Sequence, residues 1–218
     1  MLSGKIFTDK DLRLKLPFGF VISGPSSSGK TTFLLKLLNE NKSLIDPVPK
    51  SILYCYGEFH SHVTKLQKAG INVYAGVPSE ELLDRQPKPL LLVLDDLMLT
   101  IDEHFLSSLF TRKSHHGNMG IIFLTQNLFD KKLHVALANS QYLVIMRSPS
   151  HALQVRTLGT QLFPRQLDYF LQAYKAATSD PYGYLLIDLH AASDPVLRLR
   201  TNIFKSDDEK SLFIPTNP

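Results

Sequence analysis

The chain has 218 residues, 44% apolar and 20% charged, the balance of a globular protein with enough length to bury a core. Its one cysteine, Cys55, excludes an internal disulfide framework, fits a reducing compartment and reads as a small buried hydrophobe. No apolar run approaches the ~18 residues of a membrane span. The start, "MLSGKIFTDKDLRLKL", mixes both charges and lacks an apolar signal core, so a soluble intracellular protein with no membrane partner is expected. The formal charge of +4 is compatible with a polyanionic partner without demanding one.

In chain order, "GFVIS" (Gly19 to Ser23) reads as a buried strand and "TTFLLKLLNE" as the helix after it, with Leu34 and Leu38 on one face. "SILYCY" is a second strand, followed by a short helix from His60 to Ala69 and a strand at "INVYA". "PLLLVLDD" is an apolar run ending in Asp95 and Asp96. Thr100 and Glu103 form a Thr-x-x-Glu capping box, predicting a helix that carries Ile101, Phe105 and Leu109. "GIIFLTQN" and "QYLVIM" are further strands. Pro164 is expected to start a helix with Leu167, Phe170, Leu171 and Tyr174 on one stripe, which "SDPYG" breaks. "YLLIDL" and "VLRLRTNIF" then read as late strands that can pair as a hairpin. Apolar strands without polar alternation, separated by helices, imply an α/β fold whose parallel sheet is covered on both faces. Ligands of such sheets sit at the carboxyl ends of the strands. Those ends are Gly24 onward, Glu58, Asp95 with Asp96, and Thr125 with Gln126.

"GPSSSGKT" matches the phosphate-loop pattern G-x-x-x-x-G-K-[ST] in full. Gly24, Pro25, Ser26, Ser27, Ser28 and Gly29 supply a turn whose N–H groups can converge on phosphate oxygens, at the positive end of the helix that follows. Lys30 is placed to hold the β- and γ-phosphates, Thr31 to offer its hydroxyl to Mg²⁺, and Thr32 to lie near the phosphates. The metal also needs a carboxylate, and Asp95 closes a strand that would hold it rigidly. Asp96 follows as the candidate base for a water aimed at the γ-phosphate, with Glu58 as its rival. Gln126 is the candidate γ-phosphate sensor and Asn127 the fallback. The nearest match to a guanine-reading [NT]-K-x-D loop, "NKSL", has Leu44 in place of the acid, which disfavours GTP.

"GPSSSGKTTF", "LLVLDD", "FTRKSHHGNMGIIFLTQN" and "NSQYLVIMRSPS" follow an order and spacing that resembles the FtsK–HerA group of DNA-pumping ATPases. With "YCYGE", "TQNLF" and "PYGYLLIDL…LRLRTNIF", the chain looks most like the genome-packaging ATPases of Polinton-like and adintovirus-like elements, which are related to the poxvirus enzyme. The resemblance spans roughly residues 15–205, leaving 1–14 as an N-terminal segment and 206–218 as a tail. It implies a P-loop NTPase of the additional-strand type with core strand order 5-1-4-3-2. It further implies Mg²⁺-dependent ATP hydrolysis coupled to moving double-stranded DNA, a homo-oligomeric ring, capsid or portal-like partners, and a place in the host nucleus or cytoplasm or in the virion. The relatives commonly use Glu where this chain has Asp96. In a ring, a neighbour's arginine would complete the site: Arg112 matches the basic position of the relatives and Arg147 is the alternative. "RKSHHGN" can touch DNA phosphates or form a solvated turn. A small phosphotransferase and a nucleotide-binding scaffold without turnover are the competing readings.

Overall fold

Phe18–Ser23, buried at every position, forms the strand around which the sheet is built. The computed structural model describes residues 11–114, 117–207 and 211–214. Its strands are β1 (Leu14–Lys15), β2 (Phe18–Ser23), β3 (Ile45–Asp46), β4 (Ser51–Tyr56), β5 (Asn72–Ala75), β6 (Leu90–Asp95), β7 (Met119–Thr125), β8 (Tyr142–Met146), β9 (Tyr184–Asp188), β10 (Leu199–Thr201) and β11 (Ser211–Phe213). The main sheet runs β11-β10-β9-β8-β2-β7-β6-β4-β5. Counting β2 as the first core strand, then β4, β6, β7 and β8, its centre has the order 5-1-4-3-2 that the resemblance implied. β8, β2, β7, β6, β4 and β5 are mutually parallel. β9, β10 and β11 extend the sheet with antiparallel pairings, so the two late strands do pair as a hairpin.

The pleat divides the interior. Phe18, Phe20 and Ile22 face a core shared with α1 (Lys30–Asn39) and α3 (Ser61–Lys68), which contribute Phe33, Leu34, Leu37, Val63 and Leu66. Val21, Ile121, Phe123 and Leu143 face a second core beneath the helical segments after β6, β7 and β8. Those are α5 (Glu103–Ser108), α6 (His134–Ala138), α7 (Ala152–Leu162) and α8 (Leu167–Ala177). Gly19 of β2 has no side chain because Phe110 occupies the space: a Cβ there would stand 2.6 Å from the ring. No helix among the described residues is long and apolar enough to cross a membrane.

Two helix starts differ from expectation. The helix at Glu103 is capped by Asp102, whose Oδ1 accepts from the Phe105 N–H at 2.9 Å, while the Thr100 hydroxyl donates to the Leu97 carbonyl at 3.3 Å. A carboxylate is the stronger partner for the positive helix end, so the Thr-x-x-Glu box does not form. This helix continues through a π-helical turn at Leu109–Lys113. Pro164 lies in the turn between α7 and α8, and α8 starts at Leu167. Phe163, forced away from helical geometry by the proline after it, ends α7.

The C-terminal strands brace the helix behind the phosphate loop. Phe33 of α1 packs edge-on against Tyr184 of β9 and Phe204, with ring centroids 4.7 and 5.1 Å away. Lys36 lies over the Phe204 ring and pairs with Asp207, and the Lys205 N–H donates to Glu40. Behind them Arg200 and Asp188 form a buried ion pair at 2.5 Å, and Arg200 also donates to the Leu12 carbonyl at 2.7 Å. Replacing Asp188 by Ala strands that guanidinium. The variant is expected to lose roughly 3–5 kcal/mol, read as a lower denaturant midpoint at unchanged slope.

Candidate functional site

The site is built where the parallel strands end. Ser23 of β2 is level with Thr125 of β7 and Ile145 of β8, and the Gly24 N–H donates to the Thr125 carbonyl at 3.2 Å. Leu94 of β6 is level with Phe123 of β7, which brings Asp95 to the same rim one strand away from the loop. The phosphate loop spans Gly24 to Gly29, with Ser27 at φ 61 and Gly29 at φ 99, and α1 starts at Lys30. Such left-handed positions turn backbone N–H groups inward, the geometry of an anion cradle. A Cβ on Gly24 would stand 2.6 Å from both Met146 and the Ser28 hydroxyl, so only glycine fits there. The Ser28 hydroxyl is buried without a partner among the described residues. Pro25 closes the turn by accepting from the Ser28 N–H, while Ser26 and Ser27 are exposed.

The Lys30 ammonium folds back onto its own loop, donating to the carbonyls of Gly24 at 2.7 Å and Pro25 at 2.8 Å. Burial lowers its pKa, and the carboxylates that oppose this shift are Asp95 and Asp96. Lys30 and the acidic strand tip therefore share one electrostatic environment. Thr31 is half-buried and Thr32 exposed at the start of α1.

Asp95 is held by residues that sequence reading missed. The Tyr54 hydroxyl on the neighbouring β4 donates to Asp95 Oδ2, and His62 of α3 lies 2.9 Å from the same hydroxyl and 3.8 Å from Asp95. Burial raises the Tyr54 pKa, with the Asp95 charge adding to it, so the phenol stays a donor. Burial lowers the His62 pKa, against the pull of Asp95. The signal for Tyr54 was its place in "SILYCY": a tyrosine inside an apolar strand needs a partner for its hydroxyl. His62 belongs to the "HSH" run, and it binds this tyrosine and stacks on His60.

Asp96 is exposed and adopts φ 55, which turns the chain immediately after Asp95. Gly57 makes the room: its N–H donates to the Asp95 carbonyl at 3.0 Å, and a Cβ on it would fall 2.0 Å from the Asp96 carbonyl oxygen. Glu58 follows on the same rim and is exposed, but Tyr56, not Glu58, is level with Asp95. Gln126 directly follows β7 and is exposed, with no side-chain hydrogen bond among the described residues. Asn127 is engaged in the turn, its side chain accepting from the Phe129 N–H at 3.0 Å.

The two arginines lie apart. Arg112 sits in the π-helical turn beside Lys113 and Met119, at the amino end of β7. β7 is seven residues long, which separates Arg112 from the chain's own phosphate loop by about 20 Å of strand. Its guanidinium donates to the Ser108 hydroxyl at 3.2 Å, and neighbouring Lys113 pairs with Glu80. His115 and His116 of "RKSHHGN" lie outside the described residues. Arg147 is at the loop end of the sheet, but its guanidinium donates to the Ser179 carbonyl at 3.3 Å.

No family model matches the sequence, and no curated protein is similar to it at the sequence level. Similarity is found instead among solved structures. The genome packaging NTPase B204 from Sulfolobus turreted icosahedral virus 2, in complex with ATP-gammaS, superposes with a TM-score of 0.52 at 13% identity, over 81% of this chain and 95% of that one. The same protein in complex with AMPPCP gives a TM-score of 0.47 at 15% identity, over 81% of this chain and 95% of that one. ATPases 2 and 3 of EssC from Geobacillus thermodenitrificans give 0.47 at 12% identity, over 91% of this chain and 39% of that one. The chain thus carries the additional-strand P-loop NTPase fold that its FtsK–HerA resemblance implied, with β7 standing between the phosphate loop and the acidic strand.

Proposed function

We propose that the chain is a Mg²⁺-dependent ATPase that moves double-stranded DNA, working as a homo-oligomeric ring that packages a viral genome into a capsid. The observation that carries the catalytic part is the convergence of Lys30 with Asp95 and Asp96 at one rim of the sheet. The DNA, ring and capsid elements rest on the resemblance together with a fold shared with a packaging NTPase.

The donor set fits a magnesium nucleotide. Thr31 and Asp95 offer hard oxygen ligands of the kind Mg²⁺ prefers, and the unpartnered Ser28 hydroxyl sits in the loop that would meet phosphate. Thr31 and Asp95 would hold the ion, which when bound neutralises charge on the phosphate oxygens. Tyr54 keeps one Asp95 oxygen fixed. Lys30 exchanges the carbonyls of Gly24 and Pro25 for the β- and γ-phosphates, so the loop is held in shape before nucleotide arrives. Asp96 accepts a proton from the water that attacks the γ-phosphorus; the bond to the ADP oxygen breaks, releasing ADP and inorganic phosphate. Asp96 is preferred to Glu58 because it directly follows the Asp95 tip, whereas Glu58 lies two residues past the Tyr56 that is level with Asp95. Gln126, free where Asn127 is not, contacts the γ-phosphate or the attacking water.

Arg112, at the far end of β7 from its own loop, would serve in a neighbour's site, with Arg147 as the alternative. Phe59 and Leu99, 66% and 93% exposed, follow the β4 and β6 tips at the nucleotide end. They give a neighbour apolar surface to cover there.

Lys30→Ala is expected to abolish nucleotide binding. Asp96→Asn should keep binding and lower turnover by ~10²–10⁴; equal turnover in both proteins would refute Asp96 as the base. Gly57→Ala, by displacing the Asp96 carbonyl, should lower turnover roughly 10²-fold with little change in nucleotide affinity, measured by steady-state kinetics beside a direct binding titration. Turnover per subunit should climb steeply with protein concentration and with long duplex DNA. Stimulation by a nucleoside instead of DNA would favour the phosphotransferase, and no hydrolysis with DNA and capsid protein present would favour the scaffold.

A further inference from the structure

The phosphate loop has two sides. Asp95 ends β6 and Gln126 follows β7, both on the β7–β6 side, so a triphosphate bound as above points its γ-phosphate that way. The nucleoside must then leave toward the opposite side, over β8 and the segment that leads into β9. That side is walled. Met146 packs on Gly24 and Gly29, and beyond it the Ser179–Gly183 turn is tied down at several points. The Arg147 N–H donates to the Gly183 carbonyl at 2.8 Å, the Arg147 guanidinium reaches the Ser179 carbonyl, and the Gly183 N–H donates to the Asp180 carbonyl at 3.1 Å. The Tyr174 hydroxyl donates to the Met146 carbonyl at 3.1 Å and locks α8 to the end of β8.

This turn holds Tyr182 at φ 62, a left-handed conformation unfavourable for a residue with a side chain. The strain has a geometric result. Tyr182 is brought against Gly29, with its Cβ and Cδ1 each 3.2 Å from where a Gly29 side chain would begin. Yet its side chain stays open to solvent: the residue is 68% exposed, and its hydroxyl has no hydrogen bond among the described residues. An aromatic ring fixed at its base and bare beyond it, next to the loop that receives phosphates, is a stacking surface without its partner.

We propose that Tyr182 is the platform on which the base of the bound nucleoside triphosphate stacks. This rests on the phosphate-loop reading above. It adds that affinity for the base comes from a flat face, with no donor or acceptor required. Such stacking strengthens binding about tenfold or more and tolerates any base.

The test is a binding titration of the full chain with ATP and with inorganic tripolyphosphate, which has the phosphates but no base. Tyr182→Ala should weaken ATP binding roughly tenfold and leave tripolyphosphate binding unchanged. Tyr182→Phe should bind both as the wild type does. Unchanged ATP affinity in Tyr182→Ala overturns the proposal, and so does an equal loss for both ligands, which would mark a structural role for the ring. Lys30→Ala should lose both ligands, so a Tyr182 failure beside an intact Lys30 effect leaves the phosphate site standing. A wild-type protein that binds neither ligand overturns the site itself and Tyr182 with it.

Discussion

The strand register at the rim of the sheet governs this molecule. A phosphate loop and an acidic strand tip can serve one nucleotide only if the strands that carry them end at the same height. Here β7 fixes that height, pairing residue for residue with β2 on one side and β6 on the other. A shift of a single residue in either ladder would turn every side chain of that strand to the other face. The cost would be large because both faces are packed, with Phe20 and Ile22 in one core and Val21 in the other. Burial on both sides of the sheet thus sets the geometry of the site, and the polar residues inherit it.

Much of this was legible in advance because it follows from local chemistry. The loop pattern between an apolar strand and a helix carries its own physical meaning, and so does a carboxylate closing "LLLVLD". Unbroken apolar runs signal a parallel sheet. The strand order was not readable from the residues themselves and came from resemblance. α7 escaped notice because its buried face is only Val155, Leu158 and Gly159, while Leu153 on the same helix faces water, so no apolar stripe stands out. The misplaced helix cap at Thr100 shows competition: two candidate caps lay within three residues, and the charged one won.

The contacts that refine the site are long-range and so were hidden. Tyr54 and His62 meet Asp95 from an adjacent strand and the helix after it, and nothing in their spacing announces this. Nothing in the sequence assigns Gly57 a role of its own, yet its lack of a side chain is what admits the backbone of Asp96. Catalytic side chains can be guessed by type, whereas their supports depend on which strands become neighbours.

The brace behind α1 bears on how the protein comes to life on a ribosome. The loop that would grip phosphate is synthesised well before the rings that steady its helix, Tyr184 and Phe204. The Arg200 tie to the Leu12 carbonyl joins segments 188 residues apart in the same way. A partly made chain therefore holds the binding sequence without the firmness to use it, and competence for nucleotide waits until the strands that carry these rings have been made.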